Sequence, residues 1–557
     1  MNLFYKNFYR YYWLISLFTL YLFFRSYQTF LDVSLLDESG YLLLSRFNPL
    51  IYPGGYGALY ILCYKILHQL ISNSMQLHFF AIIFLTWLPS IIVFYFLFFR
   101  KVPAFLCVFI SWTLMLSPYI AAFDWWPRIS HFAISFIFIF TIISFKYHFN
   151  KYKFLLFGIL VCGILSYARP ELMLSVYMLL GVLIAIFSYE RIVQKKQSNV
   201  GFTKRNKILF SIMTFVFLAF LLVWKNPLKN TGRAYFALGQ HYTFNVLRWE
   251  NKDMTYFIRW PEVFEKKFGK SRTFKQMYKY NPSETKRHVV ENIKHYFEQT
   301  YRFLPELWMP SILFKISATI KYIVFFLIYL VCLFYLGLNT YWQQLKQKVI
   351  DNFFYVLFFL IIATPSLFAS FIIYPREHYF IMQLPLFLFL IYLLIEPFFS
   401  LKVKPSLSKV TLVITIFIIL ILTPNISAYP RFNKFDRYEQ PNYVPYIKYL
   451  ESLKIDKKVN FLTMEFLQIY LPNNYAYATE FFTKKPFYDS LIVAKDINLI
   501  YLSPYMENEP RHQSDSTFKY FMNNYSRLGW NKVQLKDKTG YLLIKQELLG
   551  LHSLIIE

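Results

Sequence analysis

Two neighbouring carboxylates, Asp37 and Glu38, stand in the run Leu31-Asp32-Val33-Ser34-Leu35-Leu36-Asp37-Glu38-Ser39-Gly40-Tyr41, just past the first long apolar block. A carboxylate beside lipid is costly unless it has a partner or a task. One task is general-base catalysis, in which Asp or Glu removes a proton from an acceptor hydroxyl or amine. Capping of the following helix accounts for a single acid but not for an adjacent pair. Three arginines form a second constellation. Arg128 follows Phe123-Asp124-Trp125-Trp126-Pro127, Arg169 lies in Ala168-Arg169-Pro170-Glu171, and Arg376 lies in Tyr374-Pro375-Arg376-Glu377-His378-Tyr379. Each has an acid close by in sequence, so an ion pair between helix ends is the simpler role for any one of them. Together they suit the bidentate chemistry by which guanidinium holds a phosphate. His241, in Gly239-Gln240-His241-Tyr242 with Arg233 upstream, is a weaker candidate for substrate contact and reads more simply as a surface histidine. Trp125, Trp126 and Tyr52 could stack on sugar rings, and an interfacial aromatic belt explains them as well.

The elements that must position these residues are membrane helices. Of the 557 residues 57% are apolar and 16% charged, against roughly 25% charged in soluble chains. Runs near the ~20 residues that a spanning helix needs occur at 11–30, 77–99, 103–121, 131–146, 154–169, 171–189, 208–224, 311–337, 352–374, 379–398 and 410–424. The turn Ala168–Glu171 divides two of them, because proline disfavours a helical residue before it. The net charge of +28 follows the loops, so no nucleic-acid partner is expected. With the N-terminus inside, basic residues gather in the inner loops, and the short outer connections hold only Arg128, Arg169 and Arg376. Long loops are exempt from that bias, so the basic outer loop 225–310 does not contradict it; the other long outer loop is 31–76. Asn281 followed by Pro282 and Glu284 predicts a capped helix with Val289, Ile293, Tyr296, Phe297 and Leu304 on one face, ending near Pro305. Beyond residue 424 the membrane composition stops. Strands are expected at Lys458–Thr463 and Asn498–Leu502, a helix at Ser516–Tyr525, and a hairpin from Asn531–Leu535 and Tyr541–Lys545. The expected fold is a polytopic α-helical membrane protein of about eleven spans. It has a transmembrane catalytic domain at 1–424 and a small α/β domain at 425–557 outside the membrane. The four cysteines, in or beside apolar blocks, form no disulfide framework. His288 and His295 lack metal-ligand spacing and no nucleotide motif occurs, so no cofactor is expected, although a divalent metal stays open.

Four short segments resemble the GT-C superfamily of polyprenyl-phosphate-sugar glycosyltransferases, in particular its protein mannosyltransferase and aminoarabinose transferase branch. They are Asp37–Tyr41, Tyr52-Pro53-Gly54-Gly55-Tyr56 with the apolar stretch after it, Leu165–Glu171, and Pro375–Pro385 with Arg376 and Tyr379. The resemblance covers roughly residues 1–400. It implies a GT-C-like fold, Asp37 as general base, Glu38 in support, and Asp124 as the second acid. Arg169 and Arg376, with Arg128 and Tyr379, would hold the donor phosphate. The implied donor is a polyprenyl-phosphate-linked sugar, and the acceptor a glycan, a lipid or a protein. The implied place is the bacterial inner membrane, with the N-terminus cytoplasmic and the active site and C-terminal domain periplasmic. The chain departs from the aminoarabinose branch at Pro53-Gly54-Gly55, where that branch has a Lys-Pro-Pro type run; this speaks against a lipid A acceptor. Two other classes stay in view. One is an O-antigen-type polymerase or ligase working through Arg233 and His241, the other a non-enzymatic lipid or sugar transporter.

Overall fold

The computed structural model describes residues 3–27, 33, 37–46, 57–116, 128–192, 204–229, 232–252, 259–309, 316–400, 410–416, 443–463, 467–472, 475–477, 486–508, 510–536 and 538–549. Tyr52, Asp124, Trp125 and Trp126 fall outside these residues, as do the side chains of Asp37 and Arg233.

Among the described residues, seven helices are long and apolar enough to cross a membrane. They are Ser74–Phe99, Ile129–Lys146, Leu172–Ile192, Lys207–Trp224, Ala318–Leu336, Phe353–Ile372 and Tyr379–Phe399. The protein is therefore a multi-pass helical membrane protein. Seven of the eleven expected runs are thus candidate spans among the described residues. The run at 154–169 is the helix Lys151–Leu165, whose 15 residues reach only ~22 Å against a ~30 Å hydrocarbon core. The runs at 11–30, 103–121 and 410–424 are helical where described, at Leu3–Tyr27, Ala104–Leu116 and 410–416.

Helices are numbered α1 (Leu3–Tyr27), α2 (Asp37–Arg46), α3 (Ala58–His68), α4 (Ser74–Phe99), α5 (Ala104–Leu116), α6 (Ile129–Lys146), α7 (Lys151–Leu165), α8 (Leu172–Ile192), α9 (Lys204–Trp224), α10 (Gly232–Trp249), α11 (Trp260–Phe268), α12 (Phe274–Tyr280), α13 (Pro282–Glu306), α14 (Ala318–Leu336), α15 (Leu338–Asp351), α16 (Phe353–Ile372) and α17 (Glu377–Ile395). Short turns fold α7 against α8 and α16 against α17, while α6 packs on α4 and α17. One apolar cluster runs through α4, α6, α7, α8, α16 and α17. By contrast α9 and α14 bury almost none of their apolar side chains, as helices facing lipid do.

Asn281 caps α13, accepting the Glu284 N–H at 3.2 Å, with Pro282 in the first turn. Its buried face differs from the expected apolar one. Thr285, His288, Asn292, Tyr296 and Phe303 are buried, whereas Phe297 is exposed. The reason is a task at the end of α16, where the last carbonyls have no helical partner. Asn292 Nδ2 donates to Phe371 O and Ile373 O, and His288 Nε2 bonds Ile372 O. A polar stripe was needed there, and apolar spacing could not reveal it.

Past α18 (Tyr443–Ser452) lies a five-stranded mixed sheet: β1 (Val459–Leu462), β2 (Tyr475–Tyr477), β3 (Leu499–Leu502), β4 (Trp530–Val533) and β5 (Tyr541–Lys545), in the order β2-β1-β3-β5-β4. The expected strands and hairpin are present, β4 and β5 pairing antiparallel; β2 was not expected. Alternation along the strands divides the apolar residues. Val459, Phe461, Leu499, Tyr501, Leu542 and Ile544 join the same apolar cluster as the membrane helices. Leu462, Ile500, Leu502 and Leu543 face away and pack with Phe518 and Phe521 of α19 (Ser516–Asn524). Strands buried on both faces read as continuous apolar runs, as Leu499–Leu502 and Tyr541–Ile544 do.

Candidate functional site

Glu38 sits in the first turn of α2 and is 2% exposed. Tyr60 donates its phenol to Oε1 at 2.6 Å, Tyr64 donates to the same oxygen, and the backbone N–H of Arg128 donates to Oε2 at 2.8 Å. The two tyrosines are one turn apart on α3, and so reach one acceptor together. Burial pushes the Glu38 carboxyl above its ordinary range; the two phenols, the Arg128 N–H and the Arg128 charge pull it partly back. Asp37 is the first residue of α2, so its backbone is fixed next to this cluster.

Arg128 is the N-cap residue of α6 and 1% exposed. Arg169, 2% exposed, lies in the turn before α8, pairs with Glu171, and has its guanidinium 5.9 Å from the Tyr379 ring centre. Arg376 is the N-cap residue of α17, with its guanidinium 5.6 Å from the Phe244 ring centre. Three cations thus stand at the starts of three helices, where the helix dipole already places positive charge. Glu38 and Glu171 offset part of that cost.

A chain of contacts shows that these starts share one end of the bundle. Gly57, just before α3, has φ +77°, and a Cβ there would come within 2.6 Å of Tyr41 in α2 and 3.3 Å of Ile129 in α6; only glycine fits. Leu59 N donates to Tyr167 O at 3.1 Å, which ties α3 to the turn holding Arg169. Arg169 then meets Tyr379 in the first turn of α17. The structure therefore brings Glu38 to Arg128, and Arg169 to Tyr379, within one continuous layer. Arg376 lies in a neighbouring group with Phe244, Tyr374 and His241.

His241 is not the surface residue its setting suggested. It is 4% exposed, bonds Ala237 O through Nδ1, and stacks on Tyr374 with ring centres 6.0 Å apart. Arg233 lies in the first turn of α10, and its side chain is outside the described residues. Among the described residues no group of three or more His, Cys, Asp or Glu side chains could hold a metal ion.

Sequence reasoning missed Tyr60, Tyr64 and Tyr470. The spacing of four between Tyr60 and Tyr64, on a short apolar helix following an acid pair, was a usable signal. Tyr470 had none, because it reaches the site from the far end of the chain; its ring centre lies 5.6 Å from that of His78 in α4. Comparison with family models, with curated proteins and with solved structures returned no match.

Proposed function

We propose that this protein is a membrane glycosyltransferase that moves a sugar from a polyprenyl-phosphate carrier to a glycan, lipid or protein acceptor. The observation that carries the reading is that Arg128, Arg169 and Arg376 stand at three helix starts on one end of the bundle, where Glu38 accepts the Arg128 N–H and Asp37 precedes it in α2. Cations held against the helix dipoles are relieved by an anion, and a phosphate at that level of a membrane is a lipid headgroup. In the proposed reaction Asp37 takes the proton of the acceptor hydroxyl. The acceptor oxygen attacks the anomeric carbon, and the bond from that carbon to the phosphate oxygen breaks with inversion. The guanidinium groups stabilise the charge growing on the departing polyprenyl phosphate. Glu38, bonded to two phenols and a backbone N–H, anchors α2 and with it Asp37.

The opposite end of the bundle supports an orientation. Arg100, Lys101, Lys146, Lys151, Lys204 and Lys348 stand there, the bias expected of a cytoplasmic side, so the proposed site faces away from the cytoplasm. The GT-C resemblance of the four short segments agrees with this reading. Asp37→Asn tests it: the variant should reach the membrane at normal levels yet leave the envelope glycan profile as in a deletion strain. Full glycan output from Asp37→Asn would remove the proposed base.

A further inference from the structure

The acidic helix α2 is gripped at both ends, and the grip at its end draws on the C-terminal region as well as on α4. At its start Glu38 is held by α3 and Arg128. At its end the Arg46 guanidinium donates to Ser74 Oγ at 2.8 Å, to Ile469 O, and to Leu471 O at 3.3 Å. Ile469 and Leu471 belong to a buried turn, Leu467–Leu471, beside the C-terminal sheet and more than four hundred residues away in sequence. That turn also brings Tyr470, 2% exposed, onto His78 and into electrostatic contact with Tyr64, one of the two phenols on Glu38. A second tether joins the same two regions: Asn73 Nδ2 donates to Glu451 Oε1 of α18 at 3.4 Å.

We infer that the turn Leu467–Leu471 positions the acidic helix, Arg46 and Tyr470 serving as positioning residues that hold α2, and with it Asp37 and Glu38, in register with the arginine layer. The geometry is one of leverage. The two carbonyls and the hydroxyl all lie on one guanidinium nitrogen, Nη2, at the tip of a side chain that a shorter lysine does not reproduce. Both accepting carbonyls are main-chain groups of a buried turn, so the grip does not depend on a flexible partner side chain. Ser45 and His68 extend it, Ser45 Oγ lying 3.1 Å from His68 Nδ1, and His68 Nε2 lying 3.2 Å from Ser74 Oγ. In its geometry the inference stands alone; in its catalytic consequence it rests on the sugar-transfer reading above.

The test uses the full-length protein in lipid nanodiscs, as wild type, Arg46→Ala and Arg46→Lys. Hydrogen exchange is followed in peptides covering 37–46, 467–471 and, as an internal reference, 129–146. Arg46→Ala is expected to raise exchange several-fold in both 37–46 and 467–471 while 129–146 stays at wild type, with Arg46→Lys in between. Faster exchange at 467–471 with 37–46 unchanged overturns the inference. Should Arg46→Ala fail to fold, Arg46→Lys and Tyr470→Phe carry the same comparison, and wild-type exchange at 37–46 in both overturns it. Transfer from a synthetic polyprenyl-phosphate mannose is measured in parallel. If wild type transfers the sugar, Arg46→Ala should lose on the order of 10²-fold in kcat, the scale of a misplaced reacting group, with donor KM held. Wild-type kcat in Arg46→Ala overturns positioning and leaves the sugar-transfer reading intact. Coupled exchange in a protein that transfers no sugar would leave positioning intact and count against that reading.

Discussion

Both ends of the helical bundle bury arginine, but in opposite electrical settings. Arg100 is the C-cap residue of α4, where the helix dipole welcomes a cation. Its Nη2 donates to Asn352 Oδ1, and its guanidinium lies 4.5 Å from the ring centre of Phe145, 4.9 Å from Tyr392, 5.6 Å from Phe389 and 5.9 Å from Tyr355. Those rings come from α6, α16 and α17, so one side chain ties four helices together. At the other end Arg128 and Arg376 are N-cap residues, and Arg169 precedes a helix start, all three against the local field. The first arrangement is favoured by the helix dipole, a charged hydrogen bond and four aromatic rings. In the proposed reading the second receives the donor's phosphate. Buried arginines thus meet two different fields, set by their place along the helix axis.

Substitutions can break or sharpen that contrast. The largest effect is expected from Asp37→Asn, which should lower transfer by about 10²–10⁴-fold with little change in thermal stability, as read by a transfer assay beside a melting curve. An equal loss of stability would assign Asp37 to the structural side. Next comes the buried ion pair between Glu306 Oε1 and Lys321 Nζ, 2.8 Å apart, which joins the end of α13 to the first turn of α14. Lys321→Met strands a buried carboxylate and should cost about 3–5 kcal/mol, whereas Lys321→Met with Glu306→Leu should recover most of it. Arg100→Ala follows, at about 3 kcal/mol for the lost ring contacts and the charged hydrogen bond, with Arg100→Lys retaining part. Activity per folded molecule should stay at wild type, and a selective loss of transfer would erase the contrast. The smallest effect belongs to Glu38→Gln. Its amide oxygen can still accept the Arg128 N–H, but its N–H₂ then faces the two phenols that donated to the carboxylate, for about 1–3 kcal/mol. The sign of the pH effect follows from burial. A carboxyl raised on folding favours the native state most below the ordinary carboxylate range, and that advantage fades as pH climbs through the raised value. Melting temperature of wild type should therefore fall across that window, and Glu38→Gln should flatten the slope.

Local signals account for what was legible in the chain. The Ala168–Glu171 break, the Asn281 cap and the Tyr541–Lys545 hairpin strand each rest on a few adjacent residues, and each is present. Contacts between distant residues were not legible. Nothing near Tyr470 announces a neighbour in α4, and nothing near His241 announces Tyr374. The polar face of α13 hid for a different reason: its residues answer the loose carbonyls of another helix, so their pattern makes sense only with α16 in view. The three arginines were visible as types and spacings, while their common position at helix starts needed the fold.

The strands place half of their apolar side chains in the same cluster as the bilayer-crossing helices, and this bears on any attempt to work with the C-terminal part alone. Cut free near residue 443, that part would carry Val459, Phe461, Leu499, Tyr501, Leu542 and Ile544 into water as one greasy plane. A separately expressed piece should clump or cling to detergent, and add-back of such a piece in trans should succeed only when it is made alongside the membrane portion.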